Sequence, residues 1–223
     1  MKIYNSIISL LIVLTFISCD IENIIDDMQD GEITAKEKLE EVMNKAKSDF
    51  AQDALLASIY GREVSTSGKV DLLNTDSFSA FVYVVQSNSL QANELYIPVF
   101  GLDPVKSPIN FETMLSFIKD SSAKDIMGNV LGTLAGVAID PSANYSDSPE
   151  VLSLLLARDD VINFRAANQN SKIDMFLIPG KSIDSTSIIN SADWIVNFYG
   201  DNSSLVLWLH PGNSSGTIDL LSD

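Results

Sequence analysis

Gly212-Asn-Ser214-Ser-Gly216 follows the G-x-S-x-G pattern, and the chain's only histidine, His210, stands two residues before it. A serine nucleophile on that motif needs a strand before it, a helix after it, and an acid and a histidine later in the chain. Seven residues follow Gly216, so the pattern reads as a hairpin turn with His210 at the end of a strand. A single histidine also excludes a zinc site built on several histidines. Hard-oxygen chemistry is a second option. Asp26, Asp30 and Glu37 fall at positions 1, 5 and 12 of a calcium-type loop, with Gly31 at 6, Glu32 after it and Ile33 at 8. Met28 occupies position 3, where an oxygen ligand is expected. Two readings stand: a degenerate, weak calcium site of Asp26, Asp30, Glu32 and Glu37, or an acidic tether followed by a T-x-x-E capping box of Thr34 and Glu37. Weak calcium is the only cofactor reading; otherwise none is implied. Trp194 and Trp208 are expected on adjacent strands, sharing one face with Val196 and Phe198. That stripe is either core or, where no helix covers it, a ligand-binding platform. Asp159-Asp160, and Asp147 with Glu150, read as solvated acids at loops and helix starts. No pair stands out among the 30 acids as the two carboxylates of a glycoside hydrolase, which leaves an envelope hydrolase as an alternative without a named site.

The one cysteine, Cys19, closes an N-terminal segment in which Lys2 precedes an apolar run from Ile7 to Ile17. This matches an export signal and is too short to span a bilayer. Phe16-Ile17-Ser18-Cys19 resembles the lipobox of bacterial lipoprotein signals. The resemblance implies that Cys19 is acylated on sulfur and becomes the mature N-terminus of a lipid-anchored cell-envelope protein. A plain secretory signal with a leftover thiol is the alternative. Asp20 resembles the inner-membrane retention signal of enterobacterial lipoproteins, whereas in other bacterial groups an acidic stretch there resembles a surface-export signal. Inner membrane, outer membrane and cell surface therefore all stay open. Lipid on Cys19 would leave no thiol for a disulfide, a nucleophile or a soft metal.

The chain has 14 basic and 30 acidic residues, a formal charge of −16. Such a surface repels phosphates, which argues against nucleic acid as a partner and against peripheral adsorption to anionic lipid. The expected partners are the membrane, through covalent lipid, and an envelope protein or small ligand not specified by any motif.

Positioning these residues requires a mixed chain, and the expected fold class is α+β. Residues 1–18 read as the signal peptide and 19–33 as the acidic tether. A first α+β unit spans 34–109, a helical connector 110–147 and a second α+β unit 148–223. Leu39, Val42, Met43, Ala46, Phe50, Ala54 and Ala57 recur at helical spacing and predict a helix over 35–60, ended by Gly61. Short strands are expected at 63–66 and 69–73 around Ser67-Gly68. An antiparallel pair is expected at 78–85 and 94–100, with Pro98 marking an edge. Residues 111–139 read as helical, broken near Ser121-Ser122, with Gly128, Gly132 and Gly136 forming a smooth stripe. Pro149 opens a helix over 150–157. Strands follow at 162–166, 172–178, 193–199, 205–210 and 217–221.

The segment from Asp76 through Phe81-Val-Tyr83 to Leu95-Tyr-Ile97 echoes the one from Ser191 through Trp194-Ile-Val to Leu207-Trp208-Leu209. Two copies of a helix followed by an antiparallel sheet account for this, and chance likeness of two apolar hairpins accounts for it as well. Asp53-Ala-Leu-Leu-Ala-Ser-Ile59, Val64-Ser-Thr-Ser-Gly68-Lys69, Phe81-Val-Tyr83, Trp194-Ile-Val196, Ser204-Leu-Val-Leu-Trp208 and Gly216-Thr-Ile218 together resemble the tandem PepSY-like lipoproteins of bacterial envelopes. That resemblance implies cystatin-like α+β units with a non-catalytic binding, inhibitory or scaffolding role. Leu95-Tyr-Ile-Pro-Val-Phe100 with Gly136-Val-Ala-Ile-Asp-Pro141 more weakly resembles the SseB N-terminal-domain family.

Overall fold

The computed structural model describes residues 31–74, 79–89, 94–101, 103–117, 138–180 and 191–221. Its class is α+β, as expected. The described strands are β1 (Glu32–Ile33), β2 (Leu55–Arg62), β3 (Val70–Asp71), β4 (Ala80–Gln86), β5 (Leu95–Val99), β6 (Lys172–Pro179), β7 (Ala192–Tyr199), β8 (Ser204–His210) and β9 (Thr217–Leu220). The described helices are α1 (Leu39–Asp49), α2 (Phe111–Phe117), α3 (Ser148–Leu156) and α4 (Asp159–Ala167).

Seven strands form one antiparallel sheet in the order β5-β4-β2-β6-β7-β8-β9, and β1 pairs with β3 in a small separate sheet. Two meanders therefore run outward from a central β2–β6 pair. The two echoing hairpins, β4–β5 and β7–β8, hold corresponding places as second and third strands of each meander. Instead of two separate sheets there is one continuous sheet, and residues Ile33–Asp223 form one compact unit.

Both faces of the central strands are covered. One face carries Leu56, Ile59, Phe81, Tyr83, Met175, Leu177, Trp194, Val196 and Phe198, packed with Val42 and Ala46 of α1, Val151, Leu152 and Leu155 of α3, and Val161 of α4. The other carries a smaller cluster, Ala57, Tyr60, Val82, Val84, Tyr96, Phe176 and Ile178, packed with Met114 of α2. Tyr60 and Phe176 stack there with centroids 4.7 Å apart. The strands are buried almost without interruption, successive residues entering opposite clusters, as a sheet covered on both faces demands.

Three expected elements are corrected, the first being the strand at 63–66: β2 ends at Arg62, Glu63 turns the chain at φ +49°, and the Ser65 N–H closes a turn on Lys69 O at 2.8 Å. The helix predicted over 35–60 ends at Asp49, and its second half is β2. A bulge between Leu56 and Ser58 inserts one residue, so Leu56 and Ile59 face one cluster while Ala57 and Tyr60 face the other. The extra residue turns a period of two into an i, i+3 spacing and imitates a helix. The strand predicted at 162–166 is helix α4. Val161 and Phe164 both pack on the core, three residues apart, while Ile162 is 51% exposed. That is a helical disposition, which tertiary packing imposes on β-branched residues.

The pairs β4–β5 and β7–β8, and the outer position of Pro98, follow the sequence expectation. Gly212–Gly216 is the turn joining β8 to β9. Asp147 caps α3 through the Ser148 N–H at 2.7 Å, and Glu150 accepts the Asp147 N–H at 2.6 Å, completing a capping box. At α1 only half of the expected box forms. Glu37 Oε2 accepts the Thr34 N–H at 2.6 Å, but Thr34 Oγ1 donates to Asp147 Oδ2 at 2.6 Å. The helix accordingly begins later, at Leu39. Asp147 also accepts the Lys36 N–H at 3.0 Å, so one carboxylate both caps α3 and fastens the chain entering α1. Gly68 makes this junction possible. Its φ is +81°, and a Cβ there would lie 2.4 Å from Pro149 Cα.

Candidate functional site

The β7–β8 register decides what the two tryptophans do. Trp194 pairs with Leu209, and Ile195 pairs with Trp208. Paired residues share a face, so Trp194 and Trp208 point to opposite sides of the sheet, correcting the shared stripe expected from sequence. Trp194 is fully buried between sheet and helices, and its Nε1 donates to Ser146 O at 3.0 Å. It is part of the core.

Trp208 is half-buried on the opposite face. Its Nε1 donates to Asp193 Oδ2 at 3.1 Å, and Asp193 is itself 1% exposed. The His210 ring lies 4.5 Å from the Trp208 ring, centroid to centroid, at 35°. His210 Nε2 is 2.9 Å from Asp219 Oδ2 and 3.1 Å from Thr217 Oγ1 on the adjacent strand β9. Both contacts fall on the same ring nitrogen. A relay would need the acid on one nitrogen and the nucleophile on the other, so this arrangement clamps the imidazole instead of passing a proton from Thr217 to Asp219. The result is an aromatic pair fixed by two carboxylates, one sealed and one with a 57% exposed side chain. Asp193, His210 and Asp219 were not legible as a group from sequence, although the alternation Asp193-Trp194-Ile195 already places the acid and the tryptophan on different faces.

A second cluster was missed entirely. Asp174 lies in β6 with 0% exposure. Its carboxylate accepts the Glu63 N–H at 2.9 Å and the hydroxyls of Tyr60 at 3.0 Å and Tyr199 at 3.3 Å. Glu63 adopts φ +49°, an uncommon value outside glycine. Its side chain meets Lys172 Nζ at 2.8 Å and the Arg62 guanidinium at 3.4 Å. Burial raises the Asp174 carboxyl to about 6, against the opposing pull of the Glu63 and Tyr60 hydrogen bonds and of Arg62. Burial likewise raises the Tyr60 hydroxyl, and the neighbouring Asp174 adds to the effect. A carboxyl tuned to this range suits acid–base work, but a sealed one cannot touch a substrate. In this conformation it is a structural knot joining β2, β6 and β7.

The remaining sequence candidates separate from these clusters. Cys19, Asp26 and Asp30 lie outside the described residues, as do Gly128, Gly132 and Gly136. Glu32 lies in β1, and Glu37 is engaged by the Thr34 N–H. Among the described residues no group of three or more His, Cys, Asp or Glu is arranged to hold a metal. Asp159 and Asp160 form the first turn of α4, where Asp160 pairs with Arg158 at 3.0 and 2.7 Å. No described helix is long and apolar enough to cross a membrane. No family model matches the chain, and no curated protein or solved structure matches it significantly.

Proposed function

We propose that this chain is a lipid-anchored cell-envelope protein with a non-catalytic binding or scaffolding role, and that its binding surface is the side of β8 and β9 carrying Trp208. The observation behind this reading is the pair Trp208–His210, held in place by Asp193 and Asp219 on a sheet face where β8 residues remain half-buried. A large ring fixed before contact loses little freedom on binding, which is why such residues anchor interfaces. The lipobox-like Phe16-Ile17-Ser18-Cys19 supports the anchor, and the acidic charge of −16 makes covalent lipid the physically sensible attachment. A helix precedes each meander, three strands in the first and four in the second, an order that supports tandem PepSY-like units sharing one sheet.

Affinity capture of the detergent-solubilised full chain from membranes, beside a Trp208→Ala variant, tests the binding role. A partner retained by the wild type and lost by the variant is the expected result; identical capture by both rejects the Trp208 surface. Intact-mass measurement tests the anchor. Wild type should begin at Cys19 with added acyl mass and Cys19→Ala should lack it, whereas an unlipidated wild type starting elsewhere removes the anchor from the proposal.

A further inference from the structure

The two edges of the large sheet are finished differently. At β5, Pro98 interrupts the edge, and the chain returns along it: the Tyr96 N–H donates to Ile109 O at 2.8 Å, and the Ile109 N–H donates to Tyr96 O at 2.9 Å. The Lys106 N–H reaches Pro98 O at 3.3 Å. That edge is closed. At the other side β9 is outermost among the described strands, and among the described residues it pairs with β8 alone. Its four residues, Thr-Ile-Asp-Leu, include no proline and no lysine. Leu220 is 54% exposed and Leu221 beyond it 49%, while the Asp219 side chain is 57% exposed. An outer strand offers backbone N–H and C=O groups to a further strand, and charge or proline is the usual protection against it. Here the protection is brevity and one carboxylate.

We infer that β9 accepts an extended, lysine- or arginine-bearing segment of a partner protein as an eighth strand, an inference that rests on the binding role proposed above. Main-chain hydrogen bonds supply the pairing, and alternate side chains of the guest supply the selection. One set of guest side chains comes to lie beside Leu220. The other lies beside Asp219, on the face of Trp208, where a cation meets a carboxylate already positioned by His210. A second copy of this chain fits poorly. Each copy carries −16, and pairing two short β9 strands would bring two Asp219 carboxylates together. A basic segment meets the same surface with attraction.

The test uses the full chain in detergent and three fluorescent probes: a hexapeptide alternating lysine and valine, the same peptide N-methylated on alternate backbone nitrogens, and its glutamate–valine counterpart. The basic peptide should bind saturably. N-methylation on the pairing side should weaken it at least about tenfold, the acidic peptide should not bind, and Asp219→Lys should weaken the basic peptide about fivefold with an unchanged circular dichroism spectrum. Equal binding of methylated and unmethylated peptides overturns strand addition. So does indifference to Asp219→Lys, or a dimer of the chain in light scattering that excludes the peptide. Absence of peptide binding alongside Trp208-dependent capture from membranes would remove the eighth strand and leave the binding role standing.

Discussion

Replacing Asp174 with asparagine should change how stability depends on pH, in a direction opposite to that of most carboxylates. In the folded chain the Asp174 carboxyl is raised from 3.8 to about 6, chiefly by burial. The native state therefore holds this proton to a higher pH than the unfolded chain does. Stability from this group is fully present below 3.8 and is lost as pH rises through about 6. The step corresponds to about 3 kcal/mol at 1.36 kcal/mol per pH unit. Asp160 works the other way, since its pairing with Arg158 holds it below the usual range and favours the fold as pH rises. It is the same in both proteins, so the difference between wild type and Asp174→Asn isolates residue 174. The amide fits the site: its oxygen can accept the Glu63 N–H and Tyr199 hydroxyl, and its nitrogen can donate to Tyr60 Oη if that hydroxyl rotates. Urea denaturation of both proteins between pH 4 and pH 7 should show Asp174→Asn gaining about 2 kcal/mol relative to wild type across that range, the remainder of the step falling below pH 4. For a domain of this size the gain appears as a relative rise of roughly 4–8 °C in melting temperature. Parallel pH profiles would refute the reasoning. A variant that loses ground as pH rises would mean that the two phenols, the amide and Arg62 outweigh desolvation.

The two tryptophans should respond oppositely to truncation. Trp194→Ala removes a fully buried ring and should cost about 3–5 kcal/mol in urea denaturation, whereas Trp208→Ala should cost less than half as much while abolishing capture of the membrane partner. Asp147→Ala removes the acceptor of Thr34 Oγ1, the Lys36 N–H and the Ser148 N–H together, and should destabilise by about 2–3 kcal/mol at neutral pH, read in the same assay.

How much of this was legible depended on whether a feature lies along the chain or across it. Pro98 declared an edge by its own chemistry, and Asp147, Pro149 and Glu150 declared a helix start within four residues. The second half of the predicted first helix failed because one bulged residue at Leu56–Ser58 gave a strand the spacing of a helix. The tryptophans failed for a similar reason. Tyr199 opposes Ser204, so an odd-numbered residue of β7 faces the same way as an even-numbered one of β8, and Trp194 and Trp208 part company. That offset is fixed by the turn between the strands, where the Gly200 N–H donates to Ser203 O at 2.8 Å. Asp174 was invisible because its partners, Tyr60, Glu63 and Tyr199, come from distant stretches of sequence, and each looks ordinary where it stands. Asp193 and Asp219 lie nearer their partners in sequence, and only the registers of β7, β8 and β9 bring them to Trp208 and His210.

The meeting of the two meanders at β2 and β6 sets the order in which the molecule can assemble. Ser58 Oγ donates to Leu177 O at 2.7 Å across a separation of 119 residues. Contacts so distant in sequence close a long loop before they return any stabilisation, and such topologies fold slowly. Until β6 arrives, β2 is the open margin of the first meander, a mostly buried strand left with unpaired backbone groups. A chain emerging N-terminus first therefore leaves this strand's margin open for as long as the second half takes to appear. Folding to completion depends on β6 reaching that margin before another strand does.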